Sequence, residues 1–271
     1  MNKRSAFLIA ALLAASRLAV AQFGDRDSID MFLKSSHTFA IYKDNYVLTG
    51  VPLNEKTTNR NADIKIQLSF THRLTDAILP YKTYLFVTYT QISFWSVYRS
   101  SGPFSESNYN PAIGLGKVIY GNGSFKGILS AEFEHQSNGR DSIFSRGWNR
   151  ITVAGSAPLS ARASLSLYVW FPFDYEHDNP DLIRYTGYGE ASFDWTSHNE
   201  RFVFDITARK GARRDFTGSL QTQINFRLTK KANQYLSLQW FTGYMEDLIN
   251  YNRMTSMIRL GFVIKPSRFV N

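Results

Sequence analysis

The sequence predicts an all-β fold, a transmembrane antiparallel β-barrel of twelve strands, and three observations carry that prediction. Polar and apolar residues alternate strictly through most of the chain, which is the period of a strand and not of a helix. The N-terminus reads as an export signal. The one greasy stretch, Ala6 to Ala15, is ten residues long, half of the roughly 20 that a membrane-spanning helix needs.

Residues 1–21 are read as the signal peptide and 22–271 as the barrel domain with a short polar N-terminal arm. Lys3 and Arg4 form a positive start, Ala6 to Ala15 the apolar core, and Ala19-Val20-Ala21 the small residues a signal peptidase reads. Cleavage is expected between Ala21 and Gln22. It leaves 250 residues and, by removing Lys3, Arg4 and Arg17, lowers the net charge from +9 to +6. That surplus is spread along the chain with no basic run or RNA-binding aromatic motif, which favours an anionic membrane surface over nucleic acid as its partner. The 15% aromatic content argues against disorder. The absence of cysteine excludes a disulfide scaffold, a thiolate metal site and a cysteine nucleophile together.

The first clear strand alternates Ile64, Ile66, Leu68 and Phe70 with Lys65, Gln67, Ser69 and Thr71. The same pattern places strands at about 63–72, 84–94, 109–119, 126–137, 148–155, 162–171, 184–195, 201–209, 217–228, 235–244 and 256–264. Asn45 to Thr49 supplies a twelfth, because a bacterial single-chain barrel has an even number. A soluble sandwich would expose the polar face. These segments instead run to about ten residues, the length of a tilted membrane strand. Their polar faces mix Arg and Glu with Tyr and amides, as a hydrogen-bonded lumen does, and Trp195, Tyr235 and Trp240 near segment ends suggest aromatic girdles. Backbone groups in lipid must all be paired, so the sheet must close. The chain ends on Val270-Asn271 after Phe269, although bacterial barrels often end on an aromatic residue.

Chemistry is most legible at 126–150. His135 and Ser137 share one strand face about 6.6 Å apart. Their parity is that of Leu129, Ala131 and Phe133, the lipid side, and opposite to that of Glu132 and Glu134. Asn149 has the parity of Ile151 and Val153, so it also faces outward, and hairpin pairing can set it beside His135. Taken alone, His-x-Ser is a weak pattern that two polar residues at a wet barrel mouth would satisfy. Three such residues on an apolar face permit acyl transfer: Ser137 as nucleophile, His135 as base and Asn149 as orienter of the imidazole. An amide cannot stabilise imidazolium as a carboxylate does, so further electrostatic help is expected. His37, His72, His177 and His198 lie at strand ends or in loops and read as solvated, with a metal role for His177 as a weaker alternative.

His135-Gln-Ser137-Asn138-Gly139-Arg140, followed by Ser145-Arg146-Gly-Trp148-Asn149-Arg150, closely resembles the signature of the outer-membrane phospholipase A family. Tyr89-Thr-Gln91-Ile-Ser-Phe-Trp95, Gly102-Pro-Phe104, Asn108-Tyr109-Asn-Pro111, Asp178-Asn-Pro-Asp181, Tyr185-Thr-Gly-Tyr188, Gly243-Tyr244 and Leu248-Ile-Asn-Tyr251-Asn252 resemble further family blocks. The resemblance spans about Asp63 to Ile264. It implies a twelve-stranded barrel in the bacterial outer membrane with an exterior Ser-His-Asn triad, hydrolysing acyl esters of membrane phospholipids, calcium-dependent and active as a homodimer. By position it implies a calcium (Ca2+) site from the main-chain carbonyls of Arg140 and Ser145 with Ser101 of the partner subunit, and an oxyanion contact from the Gly139 amide. Asp178 matches a second calcium position, although Ser142, with Asp141 beside it, stands where the family has an acid. Gln91 matches a polar dimer contact, with an interior amide as the alternative. Two other functions remain open: a non-catalytic structural or channel barrel, and a lipid-ester hydrolase with another substrate.

Overall fold

The computed structural model describes residues 38–75, 78–121, 124–229 and 232–266. The expected signal peptide with its cleavage point, His37 and the C-terminal Phe269-Val270-Asn271 lie outside the described residues. The strands are β1 (Phe39–Ile41), β2 (Asn45–Pro52), β3 (Asp63–Arg73), β4 (Tyr84–Trp95), β5 (Phe104–Gly121), β6 (Ser124–Ser137), β7 (Gly147–Ser160), β8 (Ala163–Phe173), β9 (Gly189–Thr196), β10 (Phe202–Lys210), β11 (Gly218–Arg227), β12 (Gln234–Gly243) and β13 (Thr255–Ile264). From β2 onward each pairs antiparallel with the next, and β13 pairs with β2, so twelve strands close as expected. β1 is a short extra piece. It pairs with β3 at Phe39↔His72, beyond the β2 register at Tyr46↔Gln67, and so continues the line of β2.

Alternation sets the two faces. Leu129, Phe133, Ile151, Val153, Leu167, Val169 and Phe171 are exposed on the outer surface, while Glu132, Glu134, Thr152, Gln223, Asn225 and Gln239 are buried in the lumen. That is the arrangement of an outer-membrane barrel, in which lipid solvates the apolar face and the interior must satisfy its own polar groups. Arg259 does so by bonding Asp63 at 2.9 Å and Glu246 at 2.5 Å. Lys65 reaches Glu246 at 3.1 Å, Lys265 lies between Asp44 and Asp205 at 2.7 and 2.6 Å, and Arg209 meets Glu190 at 2.7 Å.

Three expectations need correction. The segment expected as a strand at 184–195 opens on a helix, α1 (Leu182–Thr186), and extends only from Gly189. Leu182, Ile183 and Thr186 are buried there, and Gly187, at φ +63° and pressed against the Lys210 carbonyl, ends the turn. β5 begins at Phe104, five residues earlier than expected, because Glu106 and Asn108 keep the inward alternation going beyond the apolar run. Tyr235 is no girdle residue: it is buried, and its hydroxyl accepts hydrogen bonds from Arg227 at 3.0 and 2.8 Å. Trp195 and Trp240 do face outward.

The connections after even-numbered strands gather at one end of the barrel. There Trp148, Trp170, Leu182, Met245, Leu248 and Tyr251 pack into an apolar cluster under the mouth. Trp148 belongs to β7, so this cluster anchors the hairpin that carries the candidate site.

Candidate active site

β6 and β7 pair with Glu134↔Arg150, His135↔Asn149, Gln136↔Trp148 and Ser137↔Gly147 opposed. The inward members lock the hairpin. Trp148 Nε1 donates to Gln136 Oε1 at 3.0 Å, Arg150 pairs with Glu134 at 2.5 Å, and the Arg150 guanidinium lies 4.4 Å from the Trp148 ring centre. With every second residue fixed inward, His135, Ser137 and Asn149 are presented outward on the side of Phe133 and Ile151. His135 Nδ1 lies 2.8 Å from Asn149 Oδ1. An amide oxygen only accepts, so Nδ1 carries the proton and Nε2 is left as the basic nitrogen. Among the described residues no hydrogen bond joins Ser137 Oγ to this ring, a spacing common in ligand-free sites. The other end of Asn149 is held too, Nδ2 donating to Asp174 Oδ2 at 2.9 Å.

The loop between β6 and β7 is folded around one buried amide. Asn138 donates from Nδ2 to the Phe144 carbonyl at 2.9 Å and accepts at Oδ1 from the amides of Arg140 and Arg146 at 3.3 and 3.0 Å. Gly139 follows at φ +64°, where a side chain would be strained and its Cβ would stand 3.1 Å from the Tyr109 ring. The Arg140 side chain is drawn back to β5, its Nε 3.2 Å from Glu106 and its Nη2 bonded to the Ser105 carbonyl.

Of the residues matched to a calcium site, Ser145 presents an oxygen suited to a hard cation. Arg146 Nη1 lies 2.6 Å from the Ser145 carbonyl and 3.0 Å from that of Ile143, so Ser145 O lies outside the strand ladder and already solvates a positive group. Carbonyl and hydroxyl oxygens are the donors calcium prefers. Ser145 Oγ also donates to Asp178 at 2.8 Å, which sets Asp178 beside this loop. Hydrogen bonds from His177 and then Ser145 hold the Asp178 carboxyl below the usual carboxylate range. Ser101 is exposed at φ +70° in the loop between β4 and β5, at the same end of the barrel.

Gln91 pairs across from Leu68 and Tyr109, and Tyr109 in turn pairs with Ser137. Leu68 is exposed on the outer face. Gln91 therefore faces outward, two strands from Ser137, with Tyr89 OH donating to its Oε1 at 2.9 Å and its Nε2 donating to Ser93 at 3.0 Å. Of the remaining histidines, His177 and His198 are exposed as expected, His177 Nδ1 bonding Asp178 at 2.8 Å and His198 Nδ1 lying 2.6 Å from Arg162, whereas His72 is half-buried in β3. Sequence reasoning missed Asn138, Asn179 and Asp174. Asp174 follows Phe173 and should turn inward by alternation, but its φ of +53° breaks the pattern and delivers the carboxylate to Asn149.

Comparison with known proteins places this geometry. The profile of the phospholipase A1 family matches residues 30–264. The chain is 29% identical over 225 residues to a putative phospholipase A1 of Neisseria meningitidis, covering 79% of this chain and 58% of that protein. It is also 29% identical over 211 residues to phospholipase A1 of Escherichia coli K12, covering 76% and 70%. The structure of the Salmonella typhi outer-membrane phospholipase dimer with bound calcium superposes with a TM-score of 0.76 at 25% identity, covering 89% of this chain and 99% of that one. The Neisseria relative extends well beyond the matched part, whereas the Salmonella barrel is matched almost throughout. With the barrel, its apolar exterior and the matched profile all in agreement, the chain belongs to the phospholipase A1 family.

Proposed function

We propose that this chain is a calcium-dependent phospholipase of the outer membrane that hydrolyses acyl esters of glycerophospholipids with Ser137, His135 and Asn149, and that it is active as a homodimer. The observation that carries the reading is the 2.8 Å contact between His135 Nδ1 and Asn149 Oδ1 on the lipid-facing surface, two residues from Ser137. Phe133 and Phe173, their ring centres 6.0 Å apart, and Ile151 form an exposed apolar surface beside it on which acyl chains can lie.

His135 Nε2 takes the Ser137 hydroxyl proton as Oγ bonds to the ester carbonyl carbon. Collapse of the tetrahedral adduct breaks the bond to the glycerol oxygen, which leaves with the proton from His135. An acyl-enzyme remains. Water then repeats the sequence, its proton passing to His135 and back to Ser137 Oγ as the fatty acid departs. The Gly139 amide is the oxyanion donor in this reading. The carbonyls of Arg140 and Ser145, with Ser101 of a second copy, would hold calcium, whose positive charge would stabilise the oxyanion. Asp178 is assigned to a second, weaker calcium position beside the Ser142 turn.

The test is turnover of diacyl phosphatidylcholine in mixed micelles by the purified protein, with calcium and with chelator, beside Ser137→Ala. Calcium-stimulated release of fatty acid that Ser137→Ala abolishes is expected. No hydrolysis by the native chain with calcium would reduce it to a structural barrel. Hydrolysis of simple esters but not phospholipid would make it a different lipid-ester hydrolase.

A further inference from the structure

We infer that Asp174 is a positioning residue for the base: its carboxylate locks the Asn149 amide in the orientation that keeps His135 Nε2 basic and adds the negative charge that an amide orienter lacks. The inference rests on the reading of His135 as general base. Asn149 makes two hydrogen bonds, Oδ1 to His135 Nδ1 at 2.8 Å and Nδ2 to Asp174 Oδ2 at 2.9 Å. A carboxylate only accepts, so it can face the amide nitrogen and not the amide oxygen. Turning the amide over would set oxygen against carboxylate and N–H against N–H. The carboxylate thus decides which end of Asn149 meets the ring, and that end decides the imidazole tautomer.

Charge is the second consequence. When Ser137 gives up its proton the ring becomes cationic, and the carboxylate lies one amide away, where its attraction is modest but directed. The other charged or titratable groups around the ring are engaged elsewhere. On its own strand and on β7, Glu134 and Arg150 are turned into the lumen and paired. On β5, Tyr109 stands opposite Ser137. In the loops, Arg140 is bound to Glu106, Arg146 to two carbonyls, and Asp178 to His177 and Ser145. Backbone geometry also marks Asp174 as built for this contact, since φ +53° is a conformation that side chains other than Gly, Asn and Asp seldom adopt.

The same geometry supplies clean variants. Asp174→Asn keeps an acceptor for Asn149 and tolerates the backbone but removes the charge; Asp174→Gly tolerates the backbone and removes both. Turnover of diacyl phosphatidylcholine at saturating calcium should show kcat lowered about tenfold in Asp174→Gly with KM little changed, and less in Asp174→Asn. In an Asn149→Ala background Asp174→Gly should add no further loss, since the link between carboxylate and ring is already gone. A native kcat in Asp174→Gly would overturn the inference, as would a loss that repeats in full on Asn149→Ala. Native turnover in Ser137→Ala would instead overturn the reading of the site itself.

Discussion

Asn179, fully buried, donates its Nδ2 to the Gly147 carbonyl at 2.6 Å, and Gly147 is the residue opposite Ser137 in the hairpin. Its backbone amide and Nδ2 are also tied to the Tyr175 carbonyl, so one residue fastens the loop after β8 to the strand opposite Ser137. Asn179→Ala leaves a buried carbonyl without its donor, at a cost of about 1–3 kcal/mol. The expected outcome is a lower urea midpoint for the folded form on unheated gels, and turnover that falls more than the unfolded fraction accounts for. An unchanged midpoint with full turnover would mean that the loop is held elsewhere.

For the three outward residues the roles set the order of losses. Ser137→Ala and His135→Ala remove the nucleophile and the base and should abolish ester hydrolysis, whereas Asn149→Ala removes only the orienter and should leave measurable turnover. Side chains on the lipid face contribute little to strand pairing, so all three variants should remain heat-modifiable barrels. Equal losses at His135 and Asn149 would contradict this division.

Period-2 alternation made the barrel and the outward parity of His135, Ser137 and Asn149 legible in the sequence, because a lumen and a lipid face demand opposite chemistry at every second residue. The same rule failed where the chain leaves the ladder. Arg184, Tyr185 and Thr186 read as a strand start because so short a run carries no resolvable period, whereas the chain forms a helical turn there whose Leu182 packs with Trp148 and Trp170. Asp174 was invisible for a related reason: one positive φ reverses the face that alternation assigns. Tyr235 shows the limit of composition, since a tyrosine near a strand end suits a girdle or a lumen, and the Arg227 guanidinium that settles the matter is on the neighbouring strand.

Away from the membrane, the loop between β10 and β11 offers a pH prediction. Asp215 accepts hydrogen bonds from the Thr217 side chain, from the Thr217 backbone at 2.9 Å and from Arg213 at 2.8 Å. These bring its carboxyl down to about 2. A depressed carboxyl contributes to loop order above its ordinary value of about 3.9, and that contribution is lost as pH falls through about 2. NMR titration of the Asp215 carboxyl should show a midpoint near the lower figure, and Thr217→Val should move it back toward the ordinary one. A midpoint unaffected by Thr217→Val would assign the shift to the backbone amide at 217 and to Arg213.

Within the lumen, Arg259 is almost wholly buried against Asp63 and Glu246. Arg259→Met strands these acids, with Lys65 left to serve Glu246, and should cost about 3–5 kcal/mol. Adding Asp63→Asn removes the orphaned charge, since Glu246 keeps Lys65 as its partner, and should recover much of that loss. Urea unfolding in detergent measures both. A single variant as stable as the double would show that the lumen charges are solvated.

Association provides the last prediction. An outward catalytic surface in a lipid bilayer meets substrate continuously, so a monomer with a complete site would degrade its own membrane. If Ser101 of one copy completes the calcium position formed by the Arg140 and Ser145 carbonyls of another, calcium binding and dimerisation must strengthen each other by the same factor. Gln91 tunes this only modestly. Its amide is already satisfied by Tyr89 and Ser93, so a cross-subunit bond exchanges one partner for another and is worth about 0.6 kcal/mol, a few-fold in the association constant. Sedimentation in detergent should therefore show more dimer with calcium than with chelator, still more after Ser137 is sulfonylated by a long-chain reagent that spans the interface, and a few-fold less in Gln91→Leu. Ser101→Ala should raise the calcium needed for half-maximal dimer. A monomer that keeps full calcium-stimulated turnover would remove the second copy from the site and leave Ser137, His135 and Asn149 sufficient by themselves.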